Sequence, residues 1–287
     1  MKMADSIRRI GANEVSDAVR DLFLRANCVI GEDVKEKLEN AIAEEKNPLA
    51  RGVLTAIREN DSIAAEKDLP ICQDTGMAVV FAEVGSLLHI EGDTLENAVN
   101  SGVSAAYLHG KLRCSVVRDP LFHRENTGDN TPAILHIRSV PGDRLKLIAA
   151  PKGFGSENMS ALRMFTPSAK IEDVIGFIVD SVKKAGSNPC PPVTVVVGIG
   201  SDFEGCALLA KYALTRPLTD RNPDPEYAAL EETVLSRINA LGIGPQGFGG
   251  DTSAFAVKIE VAPTHIAGLP VAVNINCHVA RHAQIVL

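Results

Sequence analysis

The stretch Leu69-Pro-Ile-Cys-Gln-Asp-Thr-Gly76, running into Met77-Ala-Val-Val-Phe-Ala-Glu-Val84, decides how this chain is read. A thiol, an amide and a carboxylate stand in consecutive positions, at Cys72, Gln73 and Asp74, between a helical pattern and an apolar run of β character. Turns carried by rigid elements are where binding and catalytic groups concentrate. The plainer reading is a small loop whose aspartate caps a neighbouring backbone and whose Gly76 supplies a turn conformation.

Working outward, apolar residues at three- and four-residue spacing predict helices over 15–26, 33–45 and 48–59, the last with Pro48 at a first helical position. Beyond the strand 77–84, a helix is expected over 94–107 with Asp93 as its cap. The runs 132–140 and 144–150, joined by Pro141-Gly-Asp143, give the signal of a hairpin. Helices are expected at 171–185, 203–214 and 225–241, with strands at 193–198, 252–261 and 270–275. The expectation is an α+β fold: a helical amino-terminal layer over about 1–68, then mixed β-sheets flanked by helices, in one domain over 1–287 without internal repeat or linker.

Composition narrows the function classes. The chain has 287 residues, 45% hydrophobic and 23% charged, as in an ordinary globular protein with ample core. No run of about 18 apolar residues and no basic-then-apolar amino terminus is present, so no membrane partner and a cytoplasmic location are expected. Net charge is -7 with Lys and Arg scattered, which argues against a nucleic-acid surface and makes any anionic substrate depend on local Arg or Lys.

Six cysteines, Cys28, Cys72, Cys114, Cys190, Cys206 and Cys277, form no C-x-x-C pair, so any metal site is assembled over long range. Cys28 and Cys206 fall in apolar helical settings and read as buried small hydrophobes. Cys190 stands in Pro189-Cys-Pro-Pro192, where proline rings stiffen both sides and suit the thiol to rigid ligation. Cys277 follows a predicted strand, beside His278, Arg281 and His282. Gly198-Ile-Gly200 misses the dinucleotide fingerprint, because the next glycine falls at Gly205. The glycine-rich stretches 152–158 and 244–251 lack a Walker lysine.

Taken together and in order, Cys72-Gln-Asp-Thr-Gly76, Lys152-Gly-Phe-Gly-Ser-Glu-Asn158, Cys190-Pro-Pro192 before the apolar strand ending in Gly198-Ile-Gly200, Leu241-Gly-Ile-Gly-Pro-Gln-Gly247, Pro263-Thr-His265 and Asn276-Cys-His-Val-Ala-Arg-His282 form one set. From about Cys72 to the carboxy terminus, the set resembles the iron–sulfur class I fumarate hydratases and the related L-tartrate dehydratases, specifically the α subunit of their two-subunit forms. Ser201-Asp202 departs from the family's frequent Gly-Thr, and His278-Val279 from its commoner small residues. Neither departure removes a metal ligand or an acid–base group.

The resemblance implies a [4Fe-4S] cluster held by Cys72, Cys190 and Cys277, leaving one iron open for Lewis-acid chemistry. It implies Asp74 and His265 as the acid–base pair, and Gln73, Arg113 and Gly155 as substrate-binding residues. The implied reaction is the reversible dehydration of a 2-hydroxy dicarboxylate, malate to fumarate first and L-tartrate or a relative as the alternative. The implied partner is a β subunit in an α2β2 assembly, because the one-chain members continue into a further domain where this chain stops at Leu287. Readings of another class are an iron–sulfur redox carrier or sensor, which needs Cys114 or Cys206 as a fourth ligand, and a non-catalytic interaction subunit.

Overall fold

The computed structural model describes residues 7–287. In chain order the elements are β1 (Arg8–Gly11), α1 (Ala12–Cys28), α2 (Glu32–Glu44), α3 (Pro48–Lys67), β2 (Met77–Gly85), β3 (Leu88–Glu91), α4 (Leu95–His109), β4 (Ile134–Val140), β5 (Leu145–Lys152), α5 (Phe154–Glu157) and β6 (Ala161–Phe165). There follow α6 (Ile171–Ala185), β7 (Val193–Ser201), α7 (Phe203–Ala213), α8 (Pro225–Asn239), a 3₁₀ turn at Pro245–Gly247, β8 (Ala254–Thr264), β9 (Leu269–Asn276) and β10 (Ala283–Val286). Mixed sheets and helices make an α+β arrangement. No helix among the described residues is long and apolar enough to cross a membrane.

The chain divides into two compact units. The first holds the described residues through Val29, Ala64–Lys152 and Arg281–Leu287; the second holds Ile30–Ile63 and Gly153–Ala280. The first three helices are therefore shared out between the units.

In the first unit a four-stranded sheet runs in the order β10-β5-β2-β4. Helix α1 buries Val15, Val19, Leu22 and Phe23, and α4 buries Val99, Val103 and Tyr107, in one core with Val80, Leu145 and Leu147 of the sheet. Residues from Ala78 to Ala82 of β2 are all buried, the mark of a strand covered on both faces. The expected hairpin between β4 and β5 is absent. Strand β2 lies between them, parallel to β4 and antiparallel to β5, and the segment after β2 takes the hydrogen bonds at the turn, Ser86 N donating to Val140 O and Leu87 N to Gly142 O. The turn signal at 141–143 was sound; an apolar strand with two faces to bury displaced the local pairing. Helix α4 is capped by Thr94, whose side chain accepts from Asn97 N, while Asp93 accepts from Thr94 N and the Asn97 amide. The cap thus falls one residue later than expected.

The second unit repeats that arrangement. Its sheet runs β6-β9-β7-β8, with β7 inserted between the consecutive strands β8 and β9, parallel to the first and antiparallel to the second. Helices α6 and α8 cover one face through Ile178, Val182, Val234 and Ile238. Cys206 and Ala210 of α7 pack on Ala272. Gly198 explains the close seating of α7, because a β-carbon there would stand 2.0 Å from Cys206 O. The Gly198-Ile-Gly200 signal therefore marks helix-on-strand packing.

Candidate active site

The Cys72 loop enters β2 and is fixed by the main chain around it. Asp74 N donates to Cys72 Sγ at 3.4 Å, and Asp74 Oδ1 accepts from Gly76 N at 3.0 Å, an Asx-type turn. Gly76 has φ of 79°, and a β-carbon there would lie 2.7 Å from Lys152 N, so neither the turn nor the neighbouring strand admits a side chain. The three carbonyls that follow Gln73 are each gripped by a buried side chain: Asp74 O by the Arg281 guanidinium, Thr75 O by the Tyr107 hydroxyl at 2.9 Å, and Gly76 O by Tyr107 and the Asn130 amide. Gln73 stays exposed, and Cys72 and Asp74 are half-buried.

Arg113 joins this loop through Thr75, whose Oγ1 accepts from Arg113 N at 3.0 Å and donates to Arg113 O at 3.3 Å. Its side chain is exposed and its guanidinium makes no ion pair among the described residues, which leaves the fork free for a carboxylate.

In the second unit, Cys190 enters β7 as Cys72 enters β2. It is exposed, with φ of 55°, and its carbonyl accepts from His278 N at 3.2 Å; His278 Nδ1 lies 3.1 Å from that carbonyl and 3.3 Å from Gln246 Nε2. Gln246 donates to Pro191 O from both its main-chain N and its side-chain Nε2, each at 2.8 Å. Because β7 runs antiparallel to β9, with Thr194 opposite Asn276, the start of β7 lies beside the end of β9, and Cys190 and Cys277 meet at one sheet end. Cys277 is half-buried.

His265 stands in the exposed turn between β8 and β9, where its Nδ1 accepts from Ala267 N at 3.1 Å. That contact fixes the tautomer with the proton on Nε2. Gly155 lies in α5, exposed, where a β-carbon would find only Asn188 O within 4 Å, at 3.7 Å. The packing of the chain itself does not require glycine there. Asp202, the residue that departs from the family pattern, caps α7 by accepting from Gly205 N at 2.8 Å.

The structure thus brings Cys72, Gln73, Asp74 and Arg113 together in the first unit, and Cys190 and Cys277 in the second. Asp74 belongs to the first unit and His265 to the second. Among the described residues no three His, Cys, Asp or Glu side chains of either unit gather as a metal-holding group. The thiols nevertheless sort by environment. Burial pushes Cys28, Cys114 and Cys206 up, with Asp68 adding to it for Cys28 and Asp129 for Cys114. Cys206 is fully buried and its Sγ donates to Phe203 O at 3.4 Å; Cys28 is half-buried, more open than a core residue. Cys72, Cys190 and Cys277 lie instead on loop segments at strand ends, one already accepting an amide N–H, a donor set suited to a soft metal centre. Sequence reasoning gave no role to Gln246, Tyr107 or Asn130. Gln246 was within reach, since its motif Gly244-Pro-Gln-Gly247 had been singled out; Tyr107 and Asn130 carried no local signal.

A family model described as "Fumarate hydratase (Fumerase)" matches residues 16–286. A Methanocaldococcus jannaschii protein named "Putative L(+)-tartrate dehydratase subunit alpha" is 42% identical over 275 residues, covering 94% of this chain and 96% of the relative. An Escherichia coli protein named "L(+)-tartrate dehydratase subunit alpha" is 30% identical over 287 residues, covering 99% of this chain and 94% of the relative.

Proposed function

The chain belongs to the fumarate hydratase (Fumerase) family, and from that premise we propose that it is the α subunit of a two-subunit hydro-lyase acting on a 2-hydroxy dicarboxylate. The observation that carries this reading is the family match over residues 16–286, a span within which the Cys72 loop, Arg113, Cys190, His265 and Cys277 all fall. Malate and fumarate are the first substrate pair. The names of the relatives support L(+)-tartrate as the second reading.

A [4Fe-4S] cluster on Cys72, Cys190 and Cys277 would supply an iron open to substrate oxygens, acting as a Lewis acid. The chain's own groups do the rest. Arg113 binds one substrate carboxylate through its free fork, and the exposed Gln73 amide orients the other polar groups. Gly155 leaves room for the substrate to approach the backbone. Asp74, oriented by Gly76 N, and His265 carry the proton to or from the hydroxyl oxygen. In dehydration the C–O bond breaks, the oxygen leaves as water, and the proton on the adjacent carbon passes to a base supplied by the β subunit. The assembly is α2β2, in the cytoplasm.

The test is anaerobic co-purification with the β subunit, followed by assay on fumarate, malate and L(+)-tartrate. Interconversion of fumarate and malate is expected, with the chain alone inactive. Preference for L(+)-tartrate would select the second substrate; absence of turnover on all three would sink the hydro-lyase reading.

A further inference from the structure

The structure assigns a role to Arg281: with Tyr107 and Asn130 it forms a buried platform that positions the Cys72-Gln73-Asp74 turn. Deepening the hydro-lyase reading, this makes Arg281 a positioning residue of the reaction.

Consecutive carbonyls of one turn are held from beneath by side chains that come from far apart in sequence. Arg281 is 4% exposed, Tyr107 1% and Asn130 fully buried, and they take Asp74 O, Thr75 O and Gly76 O in turn. Arg281 comes from the last segment of the chain, Tyr107 from α4, and Asn130 from the loop before β4, where its Oδ1 also accepts from Ser115 N at 2.7 Å and Val116 N at 3.2 Å. Asn130 therefore ties the Cys72 turn to the segment that follows Arg113. Strand β10 explains how Arg281 is delivered: Ala283 pairs with Ala149 of β5, so the chain after Arg281 is locked to the sheet edge.

The choice of arginine is informative. Its Nε and Nη1 are buried without a hydrogen-bond partner among the described residues. A neutral side chain could hold one carbonyl without burying a charge and unmade donors, which are unfavourable for stability. Arginine stays charged in a protein, unlike lysine, so burial cannot neutralise it. A fixed positive charge is thus kept beneath the turn that, on the proposed reading, faces thiolate-bound metal and a dicarboxylate. The two open donors leave capacity for one more acceptor there.

Arg281→Lys and Tyr107→Phe test the platform, each with β present and as the full α chain alone. In the α chain, amide exchange over Cys72–Gly76 should quicken by about tenfold in R281K and by less in Y107F, as local opening becomes easier. In the αβ enzyme, kcat should fall by about tenfold while KM stays within roughly threefold, the pattern of lost orientation. Loss of iron to a chelator should also quicken. Unchanged exchange in both variants would overturn the platform, and a raised KM with normal kcat would make Arg281 a substrate-binding group instead. Should R281K fail to fold, Y107F carries the same readouts. An inactive wild-type αβ enzyme would defeat the proposed reaction, while the exchange measurement would still decide the platform.

Discussion

The two units solve one topological problem in the same way and then hold their cysteines by different means. In each, an earlier strand separates two later, consecutive strands: β2 stands between β4 and β5, and β7 between β8 and β9. In each, the loop entering that central strand carries a cysteine, Cys72 before β2 and Cys190 before β7. The first loop is gripped by carbonyl contacts from buried side chains, one of them charged. The second is stiffened by its prolines and cradled by the neutral Gln246 and by His278. A repeated strand order thus fixes where a thiol can be offered, while local residues decide how rigidly.

The largest expected effect tests whether the two loops serve one centre. Cys72→Ser, Cys190→Ser and Cys277→Ser should each abolish iron retention after anaerobic reconstitution, because an alkoxide poorly replaces a soft thiolate. Cys206→Ser should keep near wild-type iron, its thiol being buried in the α7 packing. Iron retained in Cys190→Ser but lost in Cys206→Ser would break the comparison at its root.

Next is the contrast between the units' buried charges. The first buries the guanidinium of Arg281, whereas the second buries a carboxylate, Asp61, that takes up a proton more readily than one in water. Burial lifts its pKa from 3.8 to about 6, against weaker opposing pulls from Asn60 and Lys35. Since the folded pKa is the higher one, Asp61's favourable contribution is complete below about pH 4 and disappears as pH rises through about 6. Asp61→Asn should therefore stabilise the apo chain at pH 8, by on the order of 1–3 kcal/mol at about 1.4 kcal/mol per pKa unit. The gain should vanish near pH 4. Equal thermal shifts at both pH values would show that Asp61 does not titrate in the fold.

The strand order explains what the sequence could and could not reveal. Periodicity located α1, α2, α6, α7, α8 and the central strands to within a few residues, because each buries a continuous apolar face. Pairing is another matter: the turn at 141–143 marks where the chain reverses, but nothing local shows that β2, some fifty residues earlier, will enter the gap. The internal repeat escaped for the same reason, being one of strand order and not of residues. Short edge strands such as β10 carry too few residues for a period and owe their place to a partner, here β5. At the Cys72 loop, the turn made by Asp74 was legible because its groups sit in consecutive residues. Arg281 stood in a quoted motif, yet its contact with Asp74 O spans more than two hundred residues and only tertiary structure makes it.

The cradle around Cys190 gives the third test. Gln246→Ala removes the Nε2 bond to Pro191 O and should cost about 1 kcal/mol, with quicker alkylation of Cys190 and none of Cys72. Gln246 has φ of 52°, so Gln246→Gly should recover part of that stability by relieving a left-handed residue while leaving Cys190 alkylation fast. Equal acceleration at both cysteines would mean that the loops are not held independently.

The smallest effect concerns the link between the Cys72 turn and Arg113. Thr75→Val keeps the shape of a 98%-buried side chain and deletes the hydroxyl that bonds both Arg113 N and Arg113 O. The expected loss is about 0.5–1.5 kcal/mol, the net worth of an ordinary hydrogen bond. The carbonyl grips on Asp74, Thr75 and Gly76 remain, so Cys72 should keep its iron and kcat should hold. What loosens is the aim of the Arg113 fork, which meets substrate carboxylate in ground and transition state alike. KM should rise roughly threefold to tenfold, the signature of weakened uniform binding. An unchanged KM with reduced iron content would place Thr75 with the platform beneath Cys72 and detach Arg113 from the substrate.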